Sequence, residues 1–121
     1  MIKVFHNARC GKSRSCLAVL TANNIDFEVV NYLQEAPTFQ EIEAILLKLN
    51  YKPIDLIRQK EKIWIENYKG KELTDEAIMQ AMVQYPILIE RPIVIDGNKA
   101  IVARDEKLVQ DFLTIKSVFF Y

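Results

Sequence analysis

Cysteine and histidine are scarce in this chain: two cysteines and one histidine among 121 residues. Zinc takes about four such ligands in a structural site, or three and an open position in a catalytic one. The set here is too small and unsuitably spaced, so no metal site is expected. Nor does any apolar run approach the roughly 18–20 residues of a membrane span. The N-terminal Met1-Ile2-Lys3-Val4-Phe5 reads as the first strand of a soluble fold rather than as a signal peptide. With no export signal, the two thiols belong in a reducing compartment, where a cysteine is more often catalytic or buried than part of a disulfide. A cytoplasmic location follows as the expectation. An excess of charge is absent too. Sixteen Lys and Arg balance sixteen Asp and Glu, and like charges do not cluster, which removes the electrostatic case for nucleic acid or a membrane surface as partner. What remains is a chain that is half hydrophobic, enough to bury a core as one domain over residues 1–121 without staples. A monomer is the expected state.

The apolar pattern gives the order of elements. Ile2, Val4 and Phe5 run into a polar loop, His6 to Arg9, and a helical pattern follows through Cys16, Leu17, Val19 and Leu20 to Asn23-Asn24. Ile25, Phe27 and Val29 then alternate with Asp26 and Glu28, a second strand parallel to the first across a helical crossover. After Pro37, Thr38 to Glu41 fits a capping box ahead of Ile42, Ile45, Leu46 and Leu49. Pro53 opens a short helix, Ile63-Trp64-Ile65 is ambiguous, and Thr74 caps a helix carrying Ile78, Met79, Met82 and Val83. Residues 38–84 therefore read as a helical insert, ended by Pro86. Ile93-Val94-Ile95 and Ala100-Ile101-Val102 flank the hairpin turn Asp96-Gly97-Asn98-Lys99. A last helix fits Asp105 to about Ile115, with Leu108, Val109, Phe112 and Leu113 inward. The fold class is α/β: a βαβ half, a helical insertion and a ββα half, making a mixed four-stranded sheet with flanking helices.

Residues 6–16, HNARCGKSRSC, hold the chemistry. Gly11-Lys12-Ser13 imitates the end of a phosphate-binding P-loop, but that motif needs glycine where His6 stands. Cys10 to Ser13 has the form C-x-x-S, a redox motif whose second cysteine is replaced by serine, leaving a single thiol. With a helix starting near Cys10, the sulfur lies over unpaired backbone N–H groups at the positive end of the dipole, which favours thiolate. Arg9, Lys12, Arg14 and His6 add positive charge nearby in sequence. The bland reading, a buried structural cysteine, suits Cys10 poorly because its neighbours are polar or basic. It suits Cys16, about 600° further around the helix and level with Leu17 and Leu20. His6 fits a satisfied loop histidine as well as a tuner of the thiol, and Lys12 and Arg14 fit solvated helix positions. A thiolate in a positive nest suits an oxyanion substrate, since such N–H groups bind phosphate-like ions and stabilise charge formed during attack.

At this point the chain resembles the glutaredoxin-coupled arsenate reductase family of the thioredoxin-like superfamily over nearly its whole length. The most specific segments are HNARCGKSR and YPILIERPIV, with DLIRQKE between them. The resemblance implies a thioredoxin-like fold, Cys10 as nucleophile, and Arg58, Arg91 and Arg104 as oxyanion-binding arginines, with His6, Ser13 and Arg14 in support. Guanidinium forks suit a tetrahedral oxyanion such as arsenate. Pro92 falls at the position that is typically cis beside the active cysteine. It further implies glutathione as co-substrate, glutaredoxin as partner and no bound cofactor, with Ser13 a hydrogen-bond donor near Cys10 rather than a redox partner. Three features depart from the family. Arg9 stands where the best-known members have a small residue, Cys16 has no counterpart, and the end at Phe119-Phe120-Tyr121 omits the extension of longer members.

Two other functions compete with an arsenate reductase acting in arsenic detoxification. One is a related glutathione-dependent thiol reductase that never meets arsenate. The other is a redox-sensing transcription regulator that binds RNA polymerase through a C-x-x-C switch, against which Ser13 argues. Neither needs three arginines.

Overall fold

The computed structural model describes residues 1–119, with side-chain surroundings as far as residue 114. The chain forms two compact units, one of Met1–Asn31 with the chain from Arg91 onward, the other of Tyr32–Glu90. The sequence reading is one domain with an insert over 38–84; the inserted unit extends beyond those bounds at both ends. Phe120 and Tyr121, and with them the expectation about the chain end, lie outside the described residues.

The first unit carries the sheet, in the order β2-β1-β3-β4. Its strands are β1 (Ile2–Phe5), β2 (Phe27–Val30), β3 (Ile93–Asp96) and β4 (Lys99–Val102). β1 runs parallel to β2 and antiparallel to β3, which pairs antiparallel with β4. This is the mixed four-stranded sheet expected from the βαβ and ββα pattern. The register sets Val4 opposite both Val29 and Val94. With Ile2, Val4 and Val94 lie on one face of the sheet, following the strand period of two. That face is covered by α1 (Gly11–Ala22) and α5 (Glu106–Phe119), which also pack on each other. The resulting core joins Ile2, Val4 and Val94 to Cys16, Val19, Leu20, Ala103, Val109 and Leu113. Between β3 and β4, Gly97 supplies the positive φ (60°) that a type II′ hairpin requires at its first central residue.

Two boundaries differ from the sequence reading, each for a local reason. β2 begins at Phe27 rather than Ile25, because the chain turns through Asn24 in the left-handed region and the Ile25 amide donates back to the Leu20 carbonyl of α1. Ile25 thus closes a helix instead of opening a strand. As an edge strand, β2 also leaves Val29 exposed despite its alternating pattern. On α5, the Asp105 side chain accepts from the Leu108 amide and caps the helix. Val109 and Leu113, four apart, point into the core, and Leu108 faces out.

The second unit is helical. α2 (Phe39–Leu49) starts at a complete capping box: the Thr38 hydroxyl accepts from the Glu41 amide, and the Glu41 carboxylate accepts from the Thr38 amide. The ambiguous run around Trp64 is helical, α3 (Lys62–Asn67), with Trp64 buried and stacked on Tyr68 one turn later. α4 (Asp75–Gln84) is capped by Thr74, packs on α2, and buries Ile78, Met79, Ala81 and Met82. Short 3-10 turns at Pro53–Leu56 and Pro86–Leu88 lead into a bridge between Ile57 and Ile89. Among the described residues no helix is long and apolar enough to cross a membrane.

Candidate active site

Cys10 is the N-cap residue of α1, in an extended conformation (φ −92°, ψ 122°), and its carbonyl accepts the first helical bond, from the Arg14 amide at 3.1 Å. The first turn of α1 contains no acidic side chain, so no carboxylate competes with a sulfur anion there. Partial burial would raise the thiol pKa. Against it, the Ser13 amide, the Arg91 guanidinium and the Lys12 amide favour the charged sulfur and Arg91 adds its charge, bringing the net value below the ordinary thiol range. Cys10 is partly exposed and free of any disulfide, so a thiolate at this place can act as a nucleophile.

The cation that acts on the sulfur therefore comes from the segment leading into β3 rather than from the neighbours in sequence. Arg14 instead donates to the Ala8 carbonyl at 2.9 Å, closing the loop ahead of the helix. His6 continues the line of β1, its amide donating to the Val30 carbonyl at 2.9 Å. Its imidazole pKa is lowered by burial and by the Arg14 charge, so the ring is neutral at pH 7 and does not add the positive charge that its place in the sequence suggests.

Ser13 is fully buried. Its backbone amide serves the sulfur, and its hydroxyl accepts from the Asn7 amide at 3.3 Å. The expected help from Ser13 thus comes through the main chain. Asn7 was missed by the sequence reading, although it is buried and makes three bonds in the loop. The available signal was local: asparagine favours the first position of a tight turn and bonds its own backbone two residues on.

The Arg91–Pro92 peptide bond is cis. The Pro92 carbonyl accepts from the Ala103 amide at 2.8 Å, so the chain after β4 is tied to the segment that holds Arg91. The next residue, Arg104, is exposed and lines a cleft of about 450 Å³ with Gly11, Lys12, Ser15, Asp105 and Glu106. Arg91 and Arg104 are in this way brought to the end of the sheet where α1 begins. Arg58 belongs to the helical unit. Its amide donates to the Leu88 carbonyl at 2.7 Å, and its guanidinium Nε pairs with the Glu61 carboxylate at 3.2 Å. Cys16 lies in the core, where burial raises its thiol pKa to about 11. Among the described residues no cluster of three or more His, Cys, Asp or Glu could hold a metal.

A mixed sheet with one activated thiol at the start of α1 and an arginine beside the cis proline defines a thioredoxin-like protein without a resolving cysteine of its own in the motif. The model of the ArsC family matches residues 5–112. An arsenate reductase of Neisseria meningitidis is 38% identical over 105 residues, 85% of this chain and 90% of the relative. The Escherichia coli protein YfgD, of no stated activity, is 39% identical over 93% of this chain and 96% of its own. Among solved structures, an arsenate reductase from Vibrio cholerae superposes with a TM-score of 0.86 at 33% identity, covering 91% of this chain and 95% of that one. The chain belongs to the ArsC family.

Proposed function

We propose that this chain is a cytoplasmic arsenate reductase that uses glutathione and glutaredoxin. The observation that carries the reading is the Cys10 thiol at the start of α1, its pKa lowered by the Ser13 and Lys12 amides and the Arg91 guanidinium, surroundings suited both to a thiolate and to the oxyanion it attacks. The names of the relatives in Neisseria meningitidis and Vibrio cholerae support arsenate as that oxyanion.

In the first step the Cys10 thiolate attacks arsenic(V); an S–As bond forms and an arsenate oxygen leaves, protonated, as water or hydroxide. Arg91 and Arg104 hold the remaining oxygens as charge builds on them, and the family resemblance adds Arg58. A glutathione thiolate then attacks the Cys10 sulfur. As the S–S bond forms, the S–As bonding pair stays on arsenic, which leaves as arsenic(III), arsenite. Glutaredoxin attacks the glutathione sulfur of the mixed disulfide and releases the Cys10 thiolate. Ser13 in place of a second cysteine suits a cycle whose resolving thiol comes from outside.

The test is arsenate-dependent NADPH oxidation coupled through glutathione, glutaredoxin and glutathione reductase. Turnover is expected with the wild-type chain and absent with Cys10→Ser. No turnover from a protein with a demonstrably reactive Cys10 would transfer the assignment to a thiol reductase with another substrate.

A further inference from the structure

The loop before Cys10 is organised around one residue, through two main-chain bonds and one side-chain bond. Asn7 is buried, with 5% of its surface exposed, in a stretch whose other polar members reach solvent. Its carbonyl accepts from the Cys10 amide at 3.0 Å, closing a tight turn through Ala8 and Arg9. Its side-chain Oδ1 accepts from the Arg9 amide at 3.0 Å, an Asx turn nested inside the first. Its own amide donates to the Ser13 hydroxyl at 3.3 Å, across to the first turn of α1. One residue therefore grips the chain just before the sulfur and just after it.

We propose that Asn7 is a positioning residue for the reactive thiol: its side-chain bond to the Arg9 amide fixes the Asn7–Cys10 turn in the shape that presents the Asn7 main chain to Cys10 and Ser13, so that the Cys10 sulfur stays at the start of α1 and within reach of Arg91. This role rests on the reading of Cys10 as the reactive thiol, and Asn7 is not among the groups that act on the sulfur. The physical reason is leverage. Cys10 is an N-cap residue, and the direction of its Cα–Cβ bond over the first turn depends on the chain entering the helix at the right angle. Arg14 braces the same loop from outside, through the Ala8 carbonyl, but is exposed and open to competition from water. The Asn7 bond to Ser13 is buried and its bond to the Arg9 amide is partly so. The charged side chain that acts on the thiol is Arg91 from the segment before β3; Arg9, Lys12 and Arg14 lie near Cys10 in sequence. None of them is removed by changing Asn7, so a change in the thiol would report geometry rather than lost charge.

The experiment is a pH titration of the Cys10 thiolate, by its ultraviolet absorbance and by the rate of iodoacetamide alkylation, on the full chain without arsenate. Asn7→Ala is expected to raise the Cys10 pKa and to slow alkylation at a pH below the wild-type value by roughly threefold to tenfold. Asn7→Ser, whose hydroxyl can make a weaker turn of the same kind, should recover part of the loss. A folded Asn7→Ala with the wild-type titration curve would overturn the role. Should that variant fail to fold, Ser13→Ala decides, since it deletes only the acceptor of the Asn7 amide; a raised thiol pKa sustains the linkage and an unchanged one refutes it. Because arsenate is absent throughout, failure here is separable from failure of the reductase reading, which would show as a reactive thiol with no arsenate-dependent turnover.

Discussion

The Arg91 guanidinium acts on the Cys10 sulfur from the segment that leads into β3, favouring the thiolate. The pair joins the two stretches of sequence most characteristic of the chain, which meet because β3 lies antiparallel beside β1. Arg91→Ala removes both a donor and a charge from the thiolate while leaving the Ser13 and Lys12 amides in place. The Cys10 pKa should rise, with alkylation at neutral pH slowed by roughly tenfold. Arg91→Lys should restore part of it, since an ammonium keeps the charge but not the planar fork. A thiolate titration of the two variants beside the wild type checks both; an unchanged curve in Arg91→Ala would leave the helix start as the sole source of activation.

The order of elements was legible in the apolar pattern and in a few punctuating residues. Thr38 and Thr74 announce their helices because a hydroxyl three residues ahead of a free amide can do little else. Gly97 announces its hairpin because few residues accept that φ. Ile25 and Leu108 were misplaced for a common reason: periodicity says which residues share a face, but not where a capping bond ends the element or which way an edge strand lies open. At the site, Cys10 was visible from its own neighbours. The source of its charge was not. Arg9, Lys12, Arg14 and His6 are adjacent in sequence, yet the cation that reaches the sulfur is Arg91, because pairing of β3 with β1 overrides proximity along the chain. The identity of Asn7 signals a tight turn but not that the side chain is buried.

Arg104 and Arg58 test the oxyanion clamp apart from the thiol. Neither is among the groups that lower the Cys10 pKa. Arg104→Ala and Arg58→Ala should therefore leave alkylation of Cys10 as it is and raise the KM for arsenate, by roughly tenfold each, in keeping with the loss of a charged hydrogen bond of about 1.5–3 kcal/mol at its lower end. Arg58 carries a second expectation. Its Nε is paired with Glu61, so Glu61→Gln, which removes the partner's negative charge, should lower the KM for arsenate while sparing the thiol. Arsenate kinetics that survive removal of Arg58, Arg91 and Arg104 together would end the clamp proposal.

His6 should be a bystander to thiol activation and a marker of acid sensitivity. Burial first, and then Arg14, lower its pKa below 6.5. In that situation the unfolded chain binds the proton more readily, so the contribution of His6 to stability is present above the unfolded value and is lost as pH falls through the folded one. A nuclear magnetic resonance titration of the imidazole should give a midpoint below 6.5. His6→Gln should flatten the acid side of the urea midpoint against pH while leaving the Cys10 titration unmoved. A Cys10 pKa that rises in His6→Gln would return the histidine to the tuning role its place in the sequence suggests.

Cys16 shows the opposite behaviour of a thiol in the same helix. It is 2% exposed, packed with Val19, Leu20, Val94 and Val109, and burial lifts its pKa from 9.0 to about 11. Iodoacetamide at neutral pH should therefore modify Cys10 alone, with a single adduct mapped by mass spectrometry. A raised folded pKa means that the stability Cys16 contributes is full below 9.0 and is lost as pH climbs through about 11. Cys16→Ala removes the sulfur from a packed core and should cost about 1–2 kcal/mol in urea unfolding at pH 7, with turnover per folded molecule unchanged. The same variant should lose less stability than the wild type between pH 9 and 11, because it has no buried thiol left to ionise. A well-folded Cys16→Ala with greatly reduced turnover would instead place this sulfur in the catalytic cycle, as an internal thiol that the loop motif lacks.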